Sequence, residues 1–116
     1  MDNKNNNQLN TEKHILEIAE WILNNYKSIK DIEDILAKTY LSEKYFITVF
    51  KKYTLETPHA ILNKLKLLEA KKLLETTELP ITEIAKKCGF TSANTFTKLF
   101  KSKFDVNPKL YRQCKI

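Results

Sequence analysis

The sequence predicts an all-α, bilobal protein: two helix-turn-helix subdomains joined by a long linker helix, about seven helices in all. Three observations carry this. Glycine occurs once, at Gly89, and proline three times, at Pro58, Pro80 and Pro108, which is too little turn chemistry for a protein of many short strands. Apolar residues, 42% of the chain, recur at helical spacing along most of its 116 positions. The stretch from Ile32 to Pro58 also returns as Ile81 to Pro108.

Residues 1–10 are Asn-rich and almost without apolar side chains, so a flexible arm is expected there. The first subdomain is expected over 11–56. Ile15, Leu16, Ile18, Ala19, Ile22, Leu23 and Tyr26 mark an amphipathic helix near 11–26. Ser28 is placed to cap a second helix, with Asp31 in its first turn and Ile32, Ile35 and Leu36 inward. Ser42 caps a third, which turns Phe46, Val49 and Phe50 to the core. Thr57-Pro58 reads as an N-cap followed by proline at the first helical position. It opens the linker helix, 57–77, with Ile61, Leu62, Leu65, Leu68, Leu73 and Leu74 inward. The second subdomain, 78–116, begins with a helix from Pro80 that buries Ile81, Ile84, Ala85 and Cys88 and stops at Gly89. Ser92 starts the next helix, with Phe96, Leu99 and Phe100 inward, and Asn107-Pro108 opens a last short one.

The repeat is the most informative feature. Ile32, Ile35 and Leu36 match Ile81, Ile84 and Ala85 at one offset. Ser42, Phe46, Val49, Phe50, Lys51 and Pro58 match Ser92, Phe96, Leu99, Phe100, Lys101 and Pro108 at an offset one residue longer. The extra residue, Thr91, falls at the turn between two helices, where packed helix pairs tolerate insertion. Each unit is a short helix, a tight turn and a serine-capped second helix, the helix-turn-helix arrangement.

The net charge of +6 is uneven. Residues 1–56 hold 8 basic and 9 acidic side chains, whereas residues 57–116 hold 12 and 5. A basic half points to a polyanion: nucleic acid or an anionic surface. Other classes are disfavoured. No apolar run approaches the roughly 20 residues of a membrane span, and the start MDNKNNNQLN lacks a signal-peptide core, so a cytoplasmic protein is expected. Cys88, Cys114, His14 and His59 have no metal-ligand spacing. No nucleophile-base pair or carboxylate pair suggests an enzyme, and nothing calls for a cofactor.

Fixing the inward residues fixes the outward ones. Lys44, Ile47 and Thr48 in the first unit and Ala93, Asn94 and Lys98 in the second are expected to read bases. Asn suits adenine, Lys suits guanine, and Ile and Thr suit the thymine methyl. Ser42, Lys51, Ser92, Thr95, Thr97, Lys101 and Arg112 are expected at the DNA backbone, with Lys66 and Lys71 among further phosphate candidates. A linker helix of roughly 20 residues spans about 30 Å, close to the ~34 Å between successive major grooves on one face. One chain is therefore expected to read two adjacent grooves as a monomer.

The run 81–112, ITEIAKKCGFTSANTFTKLFKSKFDVNPKLYR, is similar to the signature segment of AraC/XylS-family transcription regulators, through Ile84-Ala85, Gly89-Phe90, Phe96, Phe100-Lys101, Pro108 and Tyr111-Arg112. Lys66-Leu67, Ala70 and Leu73-Leu74 resemble the family's linker helix. FDVNPKLYR and Glu20-Trp21-Ile22 most resemble the stand-alone MarA/SoxS/Rob-type activators. The resemblance implies double-stranded DNA as partner, recognition helices at the outward positions above, and activation by recruiting RNA polymerase. Most such regulators have glycine where this chain has Leu55 and Asp105, arginine where it has Lys66, and alanine where it has Leu36. No effector-binding segment is evident, and the chain reads as complete. The alternatives are an isolated DNA-binding domain of a larger effector-responsive regulator, or a helical adaptor that binds protein and reads no DNA.

Overall fold

A computed structural model describes residues 3–114, with side chains from residue 9 onward. Seven α-helices account for its regular structure: α1 (Asn3–Asn25), α2 (Ile32–Leu36), α3 (Glu43–Thr54), α4 (Pro58–Thr76), α5 (Ile81–Lys87), α6 (Ala93–Phe104) and α7 (Pro108–Cys114). A 3₁₀ turn, Tyr26–Ser28, follows α1. The chain divides into two compact units, Met1–Leu62 and Asn63–Ile116, and the division runs through α4.

In the first unit α1 packs against α3. Ile15, Ile18 and Ile22 form its buried stripe, and Phe46, Val49 and Phe50 form that of α3. Around them Ile29, Ile35 and Leu62 are also buried. Polar contacts tie α1 to the turn before α3. His14 Nε2 lies 2.8 Å from Thr39 Oγ1, its ring lies 4.5 Å from that of Tyr40 at a tilt of 43°, and the Lys38 ammonium sits 4.8 Å over Trp21.

The structure departs from four sequence expectations. The first helix begins at Asn3 rather than near 11, so residues 3–10 of the expected arm are helical; residues 1 and 2 lie outside the described residues. Once Ile15, Ile18 and Ile22 anchor a helix, adding residues to its end avoids the nucleation penalty, and asparagine's weak propensity costs under about 0.7 kcal/mol each. Leu16 and Leu23, counted with the inner stripe, are exposed, because each lies one position, about 100°, beyond a buried isoleucine. Leu68 is exposed for the same reason, next to buried Leu67. Asp31, not Ser28, caps α2. Its carboxylate accepts from the Glu33 amide at 3.1 Å, whereas the Ser28 hydroxyl donates to the Asn25 carbonyl at 3.0 Å.

The second unit is built on one core: Leu67, Ala70, Leu74, Ile84, Ala85, Cys88, Phe96 and Phe100, flanked by Phe90, Phe104 and Tyr111. Aromatic rings run through it. Phe100 meets Phe96 at 5.7 Å, Phe104 at 4.6 Å and Tyr111 at 5.7 Å between ring centres. Offset and edge-on pairs of this kind add about 0.5–1.5 kcal/mol each beyond their buried area. Gly89 ends α5 with φ 87°. Its amide donates to the Lys86 carbonyl and that of Phe90 to Ala85 at 2.9 Å, the two bonds of a Schellman motif. The first unit has no glycine there. α2 ends instead in tight bonds from Lys38 and Thr39 to the carbonyls of Ile35 and Leu36, and it is two residues shorter than α5.

α7 is tied back to α4. The Tyr111 hydroxyl donates to the Glu75 carboxylate. That bond, with burial and the carboxylate's charge, pushes Tyr111 up to about 12 from its ordinary value of 10.0.

The second helix of each unit ends in the same way. Leu55 and Asp105 adopt left-handed φ angles of 74° and 69°, and their amides donate to the Lys51 and Lys101 carbonyls, both at 2.8 Å. These are the two positions where most relatives were expected to carry glycine. Leu55 is 82% exposed, so it bears the cost of a Cβ in this geometry without much packing in return.

Two outcomes are expected. Phe100→Ala should lower stability by about 3–5 kcal/mol by opening a cavity, checked by urea unfolding; a wild-type midpoint would show that the ring is dispensable. Leu55→Gly should raise stability by about 1 kcal/mol by relieving the left-handed strain, read as a higher melting temperature.

Candidate nucleic-acid interface

Each serine-capped helix presents a stripe opposite its phenylalanines. In α3 the stripe is Lys44, Ile47, Thr48 and Lys51; in α6 it is Asn94, Thr97, Lys98 and Lys101. Both follow the i, i+3, i+4, i+7 spacing of a single helix face. Lys44, Thr48, Lys51, Asn94, Lys98 and Lys101 are exposed, while Ile47, Thr97 and Ala93 are half-buried at the edge of the stripe.

The caps set where each helix begins. Ser42 Oγ accepts from the Tyr45 amide at 3.4 Å, and Ser92 Oγ from the Thr95 amide at 3.1 Å. The Ser92 hydroxyl also bonds Thr95 Oγ1 at 3.0 Å. Both serines remain exposed, but their oxygens already satisfy the helix start. The Thr48 hydroxyl donates to the Lys44 carbonyl at 3.0 Å, which leaves its methyl group and oxygen lone pairs for a partner.

Arg112 does not fit the role expected of it. Nε donates to the Leu74 carbonyl at 3.3 Å, Nη1 to Leu79 at 2.6 Å and Nη2 to Thr77 at 3.1 Å. The guanidinium therefore closes carbonyls at the C-terminal end of α4 and just beyond it, where the helix dipole favours a cation, and three of its five donors are engaged there rather than offered to a phosphate. Lys66 is likewise corrected. It is 3% exposed, and its ammonium donates to the Gly89 carbonyl at 2.9 Å, 5.9 Å from the Phe90 ring centre. It braces the α5–α6 turn. Lys71 lies over Phe104 at 5.2 Å and is half-buried.

Sequence reasoning did not single out two tyrosines at and just before the start of α3. Tyr45, in the first turn of α3, and Tyr40, in the turn before it, are both exposed. The repeat itself contained the signal for one of them, since Tyr45 occupies the position of Thr95. Among the described residues no group of three or more His, Cys, Asp or Glu is placed to hold a metal ion. No described helix is long and apolar enough to cross a membrane.

Two capped helices on two helix-turn-helix units define a class of protein, and the comparisons agree. The helix-turn-helix domain family matches residues 35–113. The chain is 32% identical over 104 residues to the transcriptional activator RhaS of Citrobacter koseri, covering 90% of this chain and 37% of that protein. It is 38% identical over 82 residues to the transcriptional regulator AlkR of Acinetobacter baylyi, covering 71% and 27%. Among solved structures, the DNA-binding domain of AdpA in complex with a target DNA superposes with a TM-score of 0.77 at 29% identity, covering 85% of this chain and 89% of that one. The chain belongs to the AraC/XylS-type helix-turn-helix family. It spans about a third of the length of the curated relatives it matches.

Arg112→Ala should lower stability by about 2–4 kcal/mol through the loss of charge-assisted bonds to three carbonyls. It should leave unchanged the slope of log affinity against log salt for duplex DNA, measured where the variant is still folded. A slope reduced by about one would return Arg112 to the phosphate contacts.

Proposed function

We propose that this chain is the sequence-specific, double-stranded-DNA-binding part of a transcription activator. The observation that carries this reading is the repeated outward stripe, Lys44-Ile47-Thr48-Lys51 and Asn94-Thr97-Lys98-Lys101, on two serine-capped helices. An α-helix fits the major groove, and these side chains match its edges. Asn94 suits the paired donor and acceptor of adenine, Lys44 and Lys98 suit the acceptors of guanine, and Ile47 and Ala93 offer apolar contact to thymine methyls. Ser42, Ser92 and Thr95 border the helix starts, where backbone amides favour phosphate, and Thr97 lies at the edge of the stripe about one turn further on. Lys51 and Lys101 lie in the last turns of α3 and α6 and would add phosphate contacts.

Two readers in one chain allow binding as a single copy to a site spanning two turns of duplex. The activator RhaS and the DNA-bound AdpA domain support the transcriptional role, with RNA polymerase as the partner to be recruited.

Nuclease footprinting on sites selected from random DNA is expected to show protection over about two helical turns. Protection of no sequence would overturn the reading. Lys98→Ala should weaken binding by about 1–3 kcal/mol on the selected site and much less on random DNA. Lys101→Ala should weaken both alike and reduce the salt slope by about one.

A further inference from the structure

The repeat places unlike residues at the start of its two reading helices. Glu43 is the first residue of α3, directly after the Ser42 cap, and Ala93 holds the same place in α6 after Ser92. Glu43 is exposed, and among the described residues no cation is paired with its carboxylate. Ile47 follows four residues on, so Glu43 lies on the Ile47 edge of the stripe, one turn nearer the helix start. Ala93 stands in the same relation to Thr97. When a recognition helix lies in the major groove, its N-terminal residues are the ones that meet base edges.

A carboxylate there is at odds with the polyanion beside it. The macrodipole favours an acid at a helix start, which accounts for Glu43 in the free protein. In the groove most neighbours repel it. Guanine presents the acceptors N7 and O6, thymine presents O4, and phosphates lie on either side. Cytosine alone presents an amino group, N4, without an acceptor. The N6 amino group of adenine stands next to N7, which opposes the second carboxylate oxygen. The charge distribution also fits a selective rather than a gripping role. The first unit holds 8 basic and 9 acidic side chains and the second 12 and 5, so attraction to phosphate comes chiefly from the second. Lys44 and Lys51 keep the outer face of α3 positive, and one acid can be carried into the groove against them. Taking α3 as a helix that enters the major groove, the function proposed above, we infer that Glu43 is a specificity-determining residue. It accepts a hydrogen bond from the N4 amino group of one cytosine in the half-site under α3, and it repels duplexes that lack that group. Its charge lowers affinity for DNA at large, so it separates the right site from random sequence by disfavouring the wrong one as well as by binding the right one.

Sites selected from random DNA by the wild-type chain, by Glu43→Ala and by Glu43→Gln test this. Competition binding then compares the selected site, its three base-pair variants at the affected position, and random duplex. Circular dichroism confirms that each variant folds. The wild-type site is expected to hold a cytosine in one half, outside the half whose preference changes in Lys98→Ala. Glu43→Ala should lose that preference alone. It should bind the cytosine-containing site about tenfold less tightly and random duplex about threefold more tightly. Glu43→Gln should move the preference toward adenine, whose N6 and N7 suit an amide. A carboxylate that served only the helix dipole would alter stability and non-specific binding, but no single base position. Unchanged preferences in Glu43→Ala, or equal changes on every sequence, would therefore overturn the role of Glu43 and leave the DNA-reading function intact. A wild-type chain that selects no site would overturn both.

Discussion

Everything the two reading helices present depends on how they are rotated about their own axes, and two phenylalanines set that rotation in each. Phe46 and Phe50 on α3, and Phe96 and Phe100 on α6, are one helical turn apart and completely buried. Truncating such a ring costs about 3–5 kcal/mol, so a helix cannot turn its phenylalanines outward without losing much of a small domain's stability. With those side chains inside, the stripe of lysine, threonine and asparagine must lie outside. Burial energy is thereby converted into the direction in which polar side chains point.

Backbone chemistry sets the length of the readers as firmly as packing sets their rotation. A serine oxygen starts each helix, and a left-handed residue closes it on the carbonyl of Lys51 or Lys101. The first unit pays more for this closure, since leucine occupies its left-handed position and it lacks the glycine that ends α5. Its compensation lies in the contacts from α1 to the turn, through His14, Thr39, Tyr40, Trp21 and Lys38. In the second unit the equivalent support comes from cations. Lys66 holds the Gly89 carbonyl and Arg112 holds three carbonyls at the end of α4 and just beyond.

Those two cations show why a basic half cannot be read as a list of phosphate contacts. Positive side chains are attracted by any concentration of partial negative charge, and the open carbonyls of helix ends and turns are such concentrations inside the protein. Lys101 and Arg112 look alike in a charge count. One projects from an exposed helix face and the other is engaged by backbone oxygens, and that difference divides the lysines and arginine of this chain into surface and scaffold.

The amino-acid sequence by itself determined the periodic features: the helices, the caps at Ser42 and Ser92, the proline starts of α4 and α7, the duplication, and the faces that carry Lys44, Thr48, Asn94 and Lys98. Each follows from local rules, because a cap or an apolar stripe is decided by residues within two turns of one another. Only tertiary structure decided the start of α1, the exposure of Leu16, Leu23 and Leu68, and the roles of Lys66 and Arg112. An amphipathic pattern says that a leucine is free to be buried, but whether it is depends on which part of the helix surface a neighbour covers. A lysine or arginine reaches far enough to choose between water, phosphate and a carbonyl more than twenty residues away, and that choice belongs to the folded chain.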